Sequence, residues 1–435
     1  MNKFMYVVLS LLAAASAHAA AIEQVIVRQQ WPWSTDVKVE YRISGVDAQH
    51  PVNLGVRAYN GDVELDASRL EESITGDRYG LCESGVGQFI IDPVTAFGTE
   101  KVALANFKVK LTLSESDANA NEVIYKIFDL DPENLNPNGT FKCTDVTRAD
   151  IKNKHYGDFE TDYNQLFAGA NSTVANQLIW TGVTNNPAYK TTKLVMRKIP
   201  AGTFSMGQTG GNFSGNTNAE QVHNVTLTKD FYICVYPVTQ EQYRKLTRGT
   251  WNGSGHKGDT FPVESATYEV FQSVITNDTS VGLNHIAANL GVPINYPTEA
   301  QWEYACRAGT TSELYTGQPL NTANLSPIAW HSGNSGNNTC EVGLKLPNAF
   351  GLYDMLGNVY EACRDAYKDS GVAIGYKDGV AVTDPEEEGP ASGGLYVMRG
   401  GSFNLNNIMA TCAGRNGNAG NWTAYGFRLA FTVTE

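Results

Sequence analysis

The chain has 435 residues, with 32 Lys and Arg against 45 Asp and Glu, for a formal net charge of −13. That length asks for two or three domains, because one core rarely organises more than about 250 residues. The 42% hydrophobic and 18% charged residues exclude a disordered chain, the acidic balance excludes charge-driven nucleic-acid binding, and 42 glycines disfavour long helical bundles.

Lys3 precedes an apolar run from Phe4 to Ala15, which ends in Ala17-His18-Ala19, a small-residue cleavage pattern. Residues 1–19 therefore read as a secretory signal peptide. The run is shorter than the ~20 apolar residues a membrane anchor needs. The expectation is a secreted, periplasmic or cell-envelope protein whose mature chain does not insert into a membrane. All seven cysteines follow the cleavage point, where disulfides are permitted; their odd number leaves at least one thiol free or paired between chains.

Residues 22–131 show period-two patterning. Asp36-Val37-Lys38-Val39-Glu40-Tyr41-Arg42-Ile43 alternates polar and apolar, as does Phe107-Lys108-Val109-Lys110-Leu111-Thr112-Leu113, and Asn60-Gly61 marks a hairpin. These signals predict a small all-β sandwich, an accessory domain with no nucleophile, metal cluster or phosphate loop. Residues 132–190 are rich in Asn, Asp, Thr and Gly and read as a linker. Cys143 lies there and has Cys82 as one candidate partner, a pairing that the sequence does not fix.

From residue 191 to 435 the character changes. Leu194 to Pro200 predicts a strand. Thr239-Gln240-Glu241-Gln242 and Thr298-Glu299-Ala300-Gln301 are capping boxes that start helices, the second stopped at Gly309. Between them, Thr267 to Ile275 places Val270, Phe271 and Val274 on one helical face. Beyond Gly309 little regular structure is legible, and function belongs on loops.

This region resembles the formylglycine-generating enzyme, or sulfatase-modifying factor, family. The resemblance rests on ordered motifs: Ile199-Pro200-Ala201-Gly202-Thr203-Phe204-Ser205-Met206-Gly207, Tyr236-Pro237-Val238-Thr239, Tyr296-Pro297-Thr298-Glu299-Ala300-Gln301-Trp302-Glu303-Tyr304-Ala305-Cys306, Pro347-Asn348-Ala349-Phe350-Gly351-Leu352-Tyr353-Asp354-Met355-Leu356-Gly357-Asn358-Val359-Tyr360-Glu361, Arg399-Gly400-Gly401-Ser402-Phe403 and Tyr425-Gly426-Phe427-Arg428-Leu429. It implies an α+β, C-type-lectin-like fold with little regular structure.

The family's enzymes oxidise a substrate cysteine with copper held by two cysteines, three and eight residues beyond the motif serine. Counted from Ser402, those positions are Leu405 and Ala410, so copper is not expected and no catalytic residue is assigned. The resemblance also implies a Cys306–Cys412 disulfide. It implies a structural calcium site at Asp354, Gly357, Val359 and Glu361, two carboxylates and two backbone carbonyls of the hard kind Ca²⁺ takes. Departures from the family follow directly, with Ala362, Cys363 and Arg364 after Glu361. No His-Glu-x-x-His, Cys-x-x-Cys, Gly-x-Ser-x-Gly or phosphate-loop motif occurs.

The C-terminal segment instead suggests a recognition face. Asn404, Asn406, Asn407 and Asn418 offer uncharged donors and acceptors, and Trp422 and Tyr425 add flat apolar area. The expected function is a non-catalytic, secreted binding protein for a glycan or protein surface. The alternatives are a copper-dependent oxidase with displaced ligands and a structural cell-envelope module.

Overall fold

The computed structural model of the chain describes residues 20–29, 33–100, 102–103, 106–116, 119–159, 178–208, 222–249, 253–265, 282–367, 380–386, 395–405, 409–418 and 423–433. Residues 1–19, expected to be a signal peptide, and the helix expected over Thr267–Ile275 lie outside the described residues. Two units divide the chain: residues 1–122 with 147–158, and residues 123–146 with 159–435.

Alternation builds the first unit. Strands β1 (Ala21–Gln29), β2 (Val37–Ser44), β3 (Val52–Asn60) and β4 (Val63–Glu64) are followed by helix α1 (Ala67–Ser73). Then come β5 (Ile74–Gly76), β6 (Gly85–Ile91), helix α2 (Pro93–Phe97) and β7 (Phe107–Glu115). They form a sheet of order β1-β2-β6-β5 and another of order β4-β3-β7. Val37, Val39, Tyr41 and Ile43 of β2 point into one core with Leu54, Phe89, Phe107 and Val109, while Lys38, Glu40 and Arg42 face outward. The Asn60–Gly61 pair does turn β3 into β4, with Gly61 at φ +64, where a side chain would be strained. The all-β sandwich is therefore present, with two short helices the alternation did not show.

The expected bounds differ from the structure: strand β8 (Val123–Asp129), expected in the sandwich over residues 22–131, and strand β9 (Lys142–Thr147), in the span 132–190 expected as a linker, share a sheet of the second unit whose order is given below. Ile124, Tyr125, Ile127 and Phe128 of β8 are all buried, so the strand has no wet face and no alternation to read. The chain then returns to the first unit through α3 (Arg148–Lys152), capped by a Thr147–Asp150 box. Asn153 Oδ1 accepts from the backbone amides of Arg78 and Tyr79, both at 2.8 Å, which seats this returning segment.

In the second unit, β10 (Lys193–Ile199), β11 (Gly202–Met206), β12 (His223–Leu227) and β13 (Phe231–Cys234) precede helices α4 (Gln240–Leu246), α5 (Gly282–Leu290), α6 (Glu299–Arg307) and α7 (Thr322–Leu325). Short strands follow: β14 (Tyr360–Tyr367), β15 (Val382–Thr383), β16 (Leu395–Arg399), β17 (Arg415–Asn418), β18 (Tyr425–Gly426) and β19 (Ala430–Thr432). The sheet orders are β19-β13-β10-β8-β9, β11-β12-β15 and β17-β16-β14-β18. Both expected capping boxes form, at Thr239–Gln242 and Thr298–Gln301, and α6 ends in left-handed Ala308 just before Gly309. The fold is α+β with short elements joined by long loops. Among the described residues, no helix is long and apolar enough to cross a membrane.

Candidate functional site

A buried ionic frame positions the Gly400-Gly401-Ser402 turn. Helix α6 carries Glu299 and Glu303 on one face, and neither is exposed. Glu299 accepts two hydrogen bonds from Arg415, at 2.8 and 2.7 Å. Glu303 accepts from Arg307 Nε and the Gly207 amide, each at 2.8 Å, and from Arg399 Nη2. Burial opposes ionisation of Glu303, but Arg307 and Arg399 overcome it and hold its carboxyl below the usual range. Glu361 is bound by Trp302 Nε1 at 2.6 Å and by Arg428 at 2.6 and 2.7 Å. Arg428 also donates to the carbonyls of Cys234 and Tyr353. Arg399 ends β16, so this frame fixes where the turn leaves the sheet. Gly400 is required there: at φ +90, a Cβ would lie 2.7 Å from the Met355 carbonyl oxygen.

Of the four residues expected to hold calcium, Asp354, Gly357 and Val359 sit in one buried turn and Glu361 follows in β14, also buried. Asp354 (φ +54), Gly357 (φ +74) and Asn358 (φ +58) are left-handed within five residues, which folds the segment back on itself. Asn358 clamps it: its side chain accepts from the Cys340 amide and donates to the Cys340 carbonyl, both at 3.1 Å. Asp354 accepts from the Gly343 amide at 2.7 Å, and among the described residues no cation pairs with it directly. Burial pushes its carboxyl up to about 6, and the nearby Glu361 adds to that rise. A buried carboxylate without a direct counter-charge is what a hard cation would relieve. Glu361 fits less well, because Oε2 already takes two donors; only Oε1, with one, keeps a lone pair. No group of three or more His, Cys, Asp or Glu able to hold an ion occurs among the described residues, so any cation here depends on the carbonyls of Gly357 and Val359.

The positions that copper would need do not fit it. Leu405 and Ala410 carry no ligand atom, and Ala410 is buried. Cys412 is wholly buried, its sulfur 3.6 Å from that of Cys306, so it packs inside the core rather than toward the turn. All seven cysteines are free thiols in the structure, including Cys306 and Cys412.

The expected recognition residues divide. Asn404 is exposed on the turn after Phe403, and its Oδ1 accepts from Ser402 Oγ at 2.9 Å. Asn406, Asn407 and Trp422 lie outside the described residues; Asn418 ends β17, and only its backbone is described. Tyr425 is a correction. It is 2% exposed, on β18 paired in parallel with β14, and its ring packs 5.4 Å from that of Tyr360. A tyrosine facing the sheet interior contributes to the core, not to a binding face.

Sequence reasoning missed two features near the turn. Lys345 Nζ lies 3.9 Å from the Trp330 ring centroid and donates to the Ser326 carbonyl at 2.6 Å. His256 meets the Phe403 ring edge-on at 5.2 Å, with the buried Glu264 behind it. Neither pair has a spacing that a pattern search reads, because loops bring the partners together.

Comparison with known proteins gives four findings. A model of the sulfatase-modifying factor enzyme 1-like domain matches residues 183–433. The formylglycine-generating enzyme of Streptomyces coelicolor is 33% identical over 255 residues, covering 47% of this chain and 77% of that protein. The serine/threonine-protein kinase pkn1 of Chlamydia pneumoniae is 30% identical over 256 residues, 54% of this chain; the match spans only 37% of that protein's length. Among solved structures, Treponema denticola variable protein 1 aligns with 26% identity and a TM-score of 0.44, covering 55% of this chain and 95% of that one.

Proposed function

The chain belongs, through residues 183–433, to the sulfatase-modifying factor family, and on that premise we propose that it is a secreted, non-catalytic member that recognises a glycan or protein surface through its C-terminal Asn-rich loops. The observation that carries the reading is the pair Leu405 and Ala410 at the family's copper positions, with Cys412 withdrawn into the core beside Cys306. Paired soft thiolates are what copper selects, and a single buried thiol does not supply them. The same turn presents Asn404 to solvent, held by Ser402. Uncharged amides suit an adaptable polar surface.

Two structural supports belong to this proposal. Calcium would be held by Asp354 and Glu361 with the carbonyls of Gly357 and Val359, and it would neutralise a buried carboxylate rather than take part in chemistry. Export would place Cys306 and Cys412 where oxidation can join them.

Silver or copper(I) titration of the reduced protein, beside a glycan and surface-protein array, tests the proposal. Expected are no stoichiometric two-thiolate metal site and a specific array ligand whose binding falls with Asn406→Ala and Trp422→Ala. Metal bound by two thiolates would favour the oxidase. An empty array together with self-association would favour an envelope module.

A further inference from the structure

The first unit sets one histidine between two carboxylates. His155 Nε2 lies 2.8 Å from an Asp77 oxygen, and Nδ1 lies 3.2 Å from an Asp150 oxygen. Asp77 follows β5 and Asp150 caps α3, so the ring joins the sandwich wall to the segment in which the chain returns to this unit. Asp77 is fixed: its amide donates to the Gln88 carbonyl of β6 at 3.1 Å, and its carbonyl accepts from the Tyr41 hydroxyl at 2.7 Å. Asp150 is fixed as well, because its other oxygen accepts from the Thr147 amide and hydroxyl, at 2.8 and 2.7 Å.

A neutral imidazole has one N–H and one lone pair, so it serves one carboxylate and turns its lone pair on the other. Only the doubly protonated ring donates to both. The hydrogen bond to Asp150 raises the ring's proton affinity above its ordinary value of 6.5; burial opposes that rise and Asp77 adds to it. Burial also opposes ionisation of Asp150, but the bonds from His155 and Thr147 prevail and hold its carboxyl below the usual range. The ring is 35% exposed, so protons from solvent reach it.

No neighbouring charge takes the ring's place. Among the described residues, neither Asp77 nor Asp150 has an ion-pair partner besides His155. Arg78 is spent on Glu71, at 3.0 and 2.7 Å, and Lys154 Nζ donates to the Glu72 carbonyl at 2.7 Å. Lys152 Nζ lies 5.6 Å from the Tyr79 ring centroid. Burial pushes the hydroxyls of Tyr41, Tyr79 and Tyr156 above their ordinary range, so they stay neutral where the imidazole titrates. Glu83 and Cys82 share with His155 a cavity of about 390 Å³, which is also lined by Tyr41 of β2 and Val86 of β6.

The returning segment has a second anchor, one that does not titrate. Asn153 Oδ1 accepts from the Arg78 and Tyr79 amides, its Nδ2 donates to the Tyr79 carbonyl at 3.1 Å, and its carbonyl accepts from the Gly76 amide at 2.9 Å. Asn153 holds the segment at any pH, which leaves the ring in control of the residues that follow.

We propose that His155 is a pH-operated latch: as the imidazolium it fastens residues 154–158, and with them one wall of the cavity, to the sandwich, and as the neutral ring it lets them go while Asn153 stays bound. The latch is fully closed below the ordinary value of 6.5 and opens as pH rises through the ring's higher folded value. It lies in the first unit and does not depend on the recognition reading above.

The test uses the full chain. NMR titration of the histidine rings, with His155→Gln to assign the signal, should place the His155 midpoint above 6.5, and Asp77→Asn should lower it. Hydrogen exchange, corrected at each pH for intrinsic amide rates, then reads the latch. The amides of Lys154, His155 and Gly157 donate to the carbonyls of Ile151, Asp150 and Lys154, and their protection should fall about threefold to fivefold across the midpoint. The Arg78 and Tyr79 amides should keep theirs. In His155→Gln the pH dependence should vanish, and in Asp77→Asn it should move to lower pH. A midpoint at or below 6.5 overturns the inference, as does protection that ignores pH or a fall that persists in His155→Gln. Parallel loss at Arg78 and Tyr79 overturns it too, because the whole wall would then open. Should His155→Gln not fold, Asp77→Asn decides: an unmoved transition there overturns the latch.

Discussion

The two units solve the same problem with different chemistry. The sandwich fixes its strands by alternating apolar residues, and most of its described ion pairs, such as Arg28–Glu40 and Lys38–Glu40, lie on partly exposed side chains, with the buried Arg78 and its half-exposed partner Glu71 the exception. The family domain has short strands and long loops, and it buries Glu299, Glu303 and Glu361 with Arg307, Arg399, Arg415 and Arg428 inside it. Buried ion pairs add little net stability over apolar packing, but breaking one strands a charge. Where periodicity cannot set the register, directional pairs can: each arginine accepts only one arrangement of carboxylates and carbonyls. The comparison teaches that regular structure and buried charge are alternative ways to specify one conformation.

The sharpest way to break this contrast is to remove a partner from the frame. Arg428→Met leaves Glu361 buried with Trp302 as its one remaining side-chain donor among the described residues, and should destabilise the family domain by about 3–5 kcal/mol in denaturant unfolding. Lys38→Met, on the sandwich surface, should change stability by no more than ~1 kcal/mol. Equal effects would refute the contrast.

Oxidation gives an effect of similar size. Cys306 and Cys412 are 106 residues apart in sequence with sulfurs 3.6 Å apart. Closing that loop should stabilise the oxidised protein by roughly 3–5 kcal/mol, lost in Cys412→Ala. Unchanged melting under oxidising and reducing conditions, with free thiols counted in both, would contradict the expected bridge.

Asp354 sharpens the comparison through pH. Its carboxyl is raised from 3.8 to about 6, so the folded state binds its proton more tightly than the unfolded chain does. The benefit is complete below the unfolded value near 4 and is lost as pH rises through about 6. With chelator present, this group should lower stability by about 3 kcal/mol between pH 4 and pH 7. Asp354→Asn should flatten that slope, and calcium at pH 7 should raise the wild-type midpoint. A calcium-insensitive midpoint would remove the proposed cation.

Within the frame, Trp302→Phe is the milder change. It removes one donor from Glu361 and leaves the two from Arg428, so about 1–3 kcal/mol should be lost. A larger loss would mean that the indole's packing, rather than its hydrogen bond, anchors the frame.

The same division explains what was legible in the sequence. Period-two runs exposed β2 and β7, and the local chemistry of Thr239–Gln242 and Thr298–Gln301 exposed α4 and α6. Strand β8 was hidden because both its faces are buried, and a strand without a wet face carries no alternation. Tyr425 looked like a surface aromatic because nothing local told that its partner is Tyr360. Apart from Glu303–Arg307 on one helix, the ionic frame joins residues 59 to 116 positions apart, beyond the reach of any local pattern. His256 and Glu264 are only eight apart, yet the loop between them has no period that would predict their meeting. The motifs announced the family, and the absence of its cysteines was visible in the same residues.

The central claim is that this family domain has kept the scaffold and given up copper oxidation. The most direct measurement is a copper-dependent oxidation assay on the purified full chain, with a sulfatase-type cysteine peptide followed by mass spectrometry beside an active formylglycine-generating enzyme. The account predicts no formylglycine while the control converts. Conversion by this chain would contradict it and would mean that copper is held by residues other than those at positions 405 and 410.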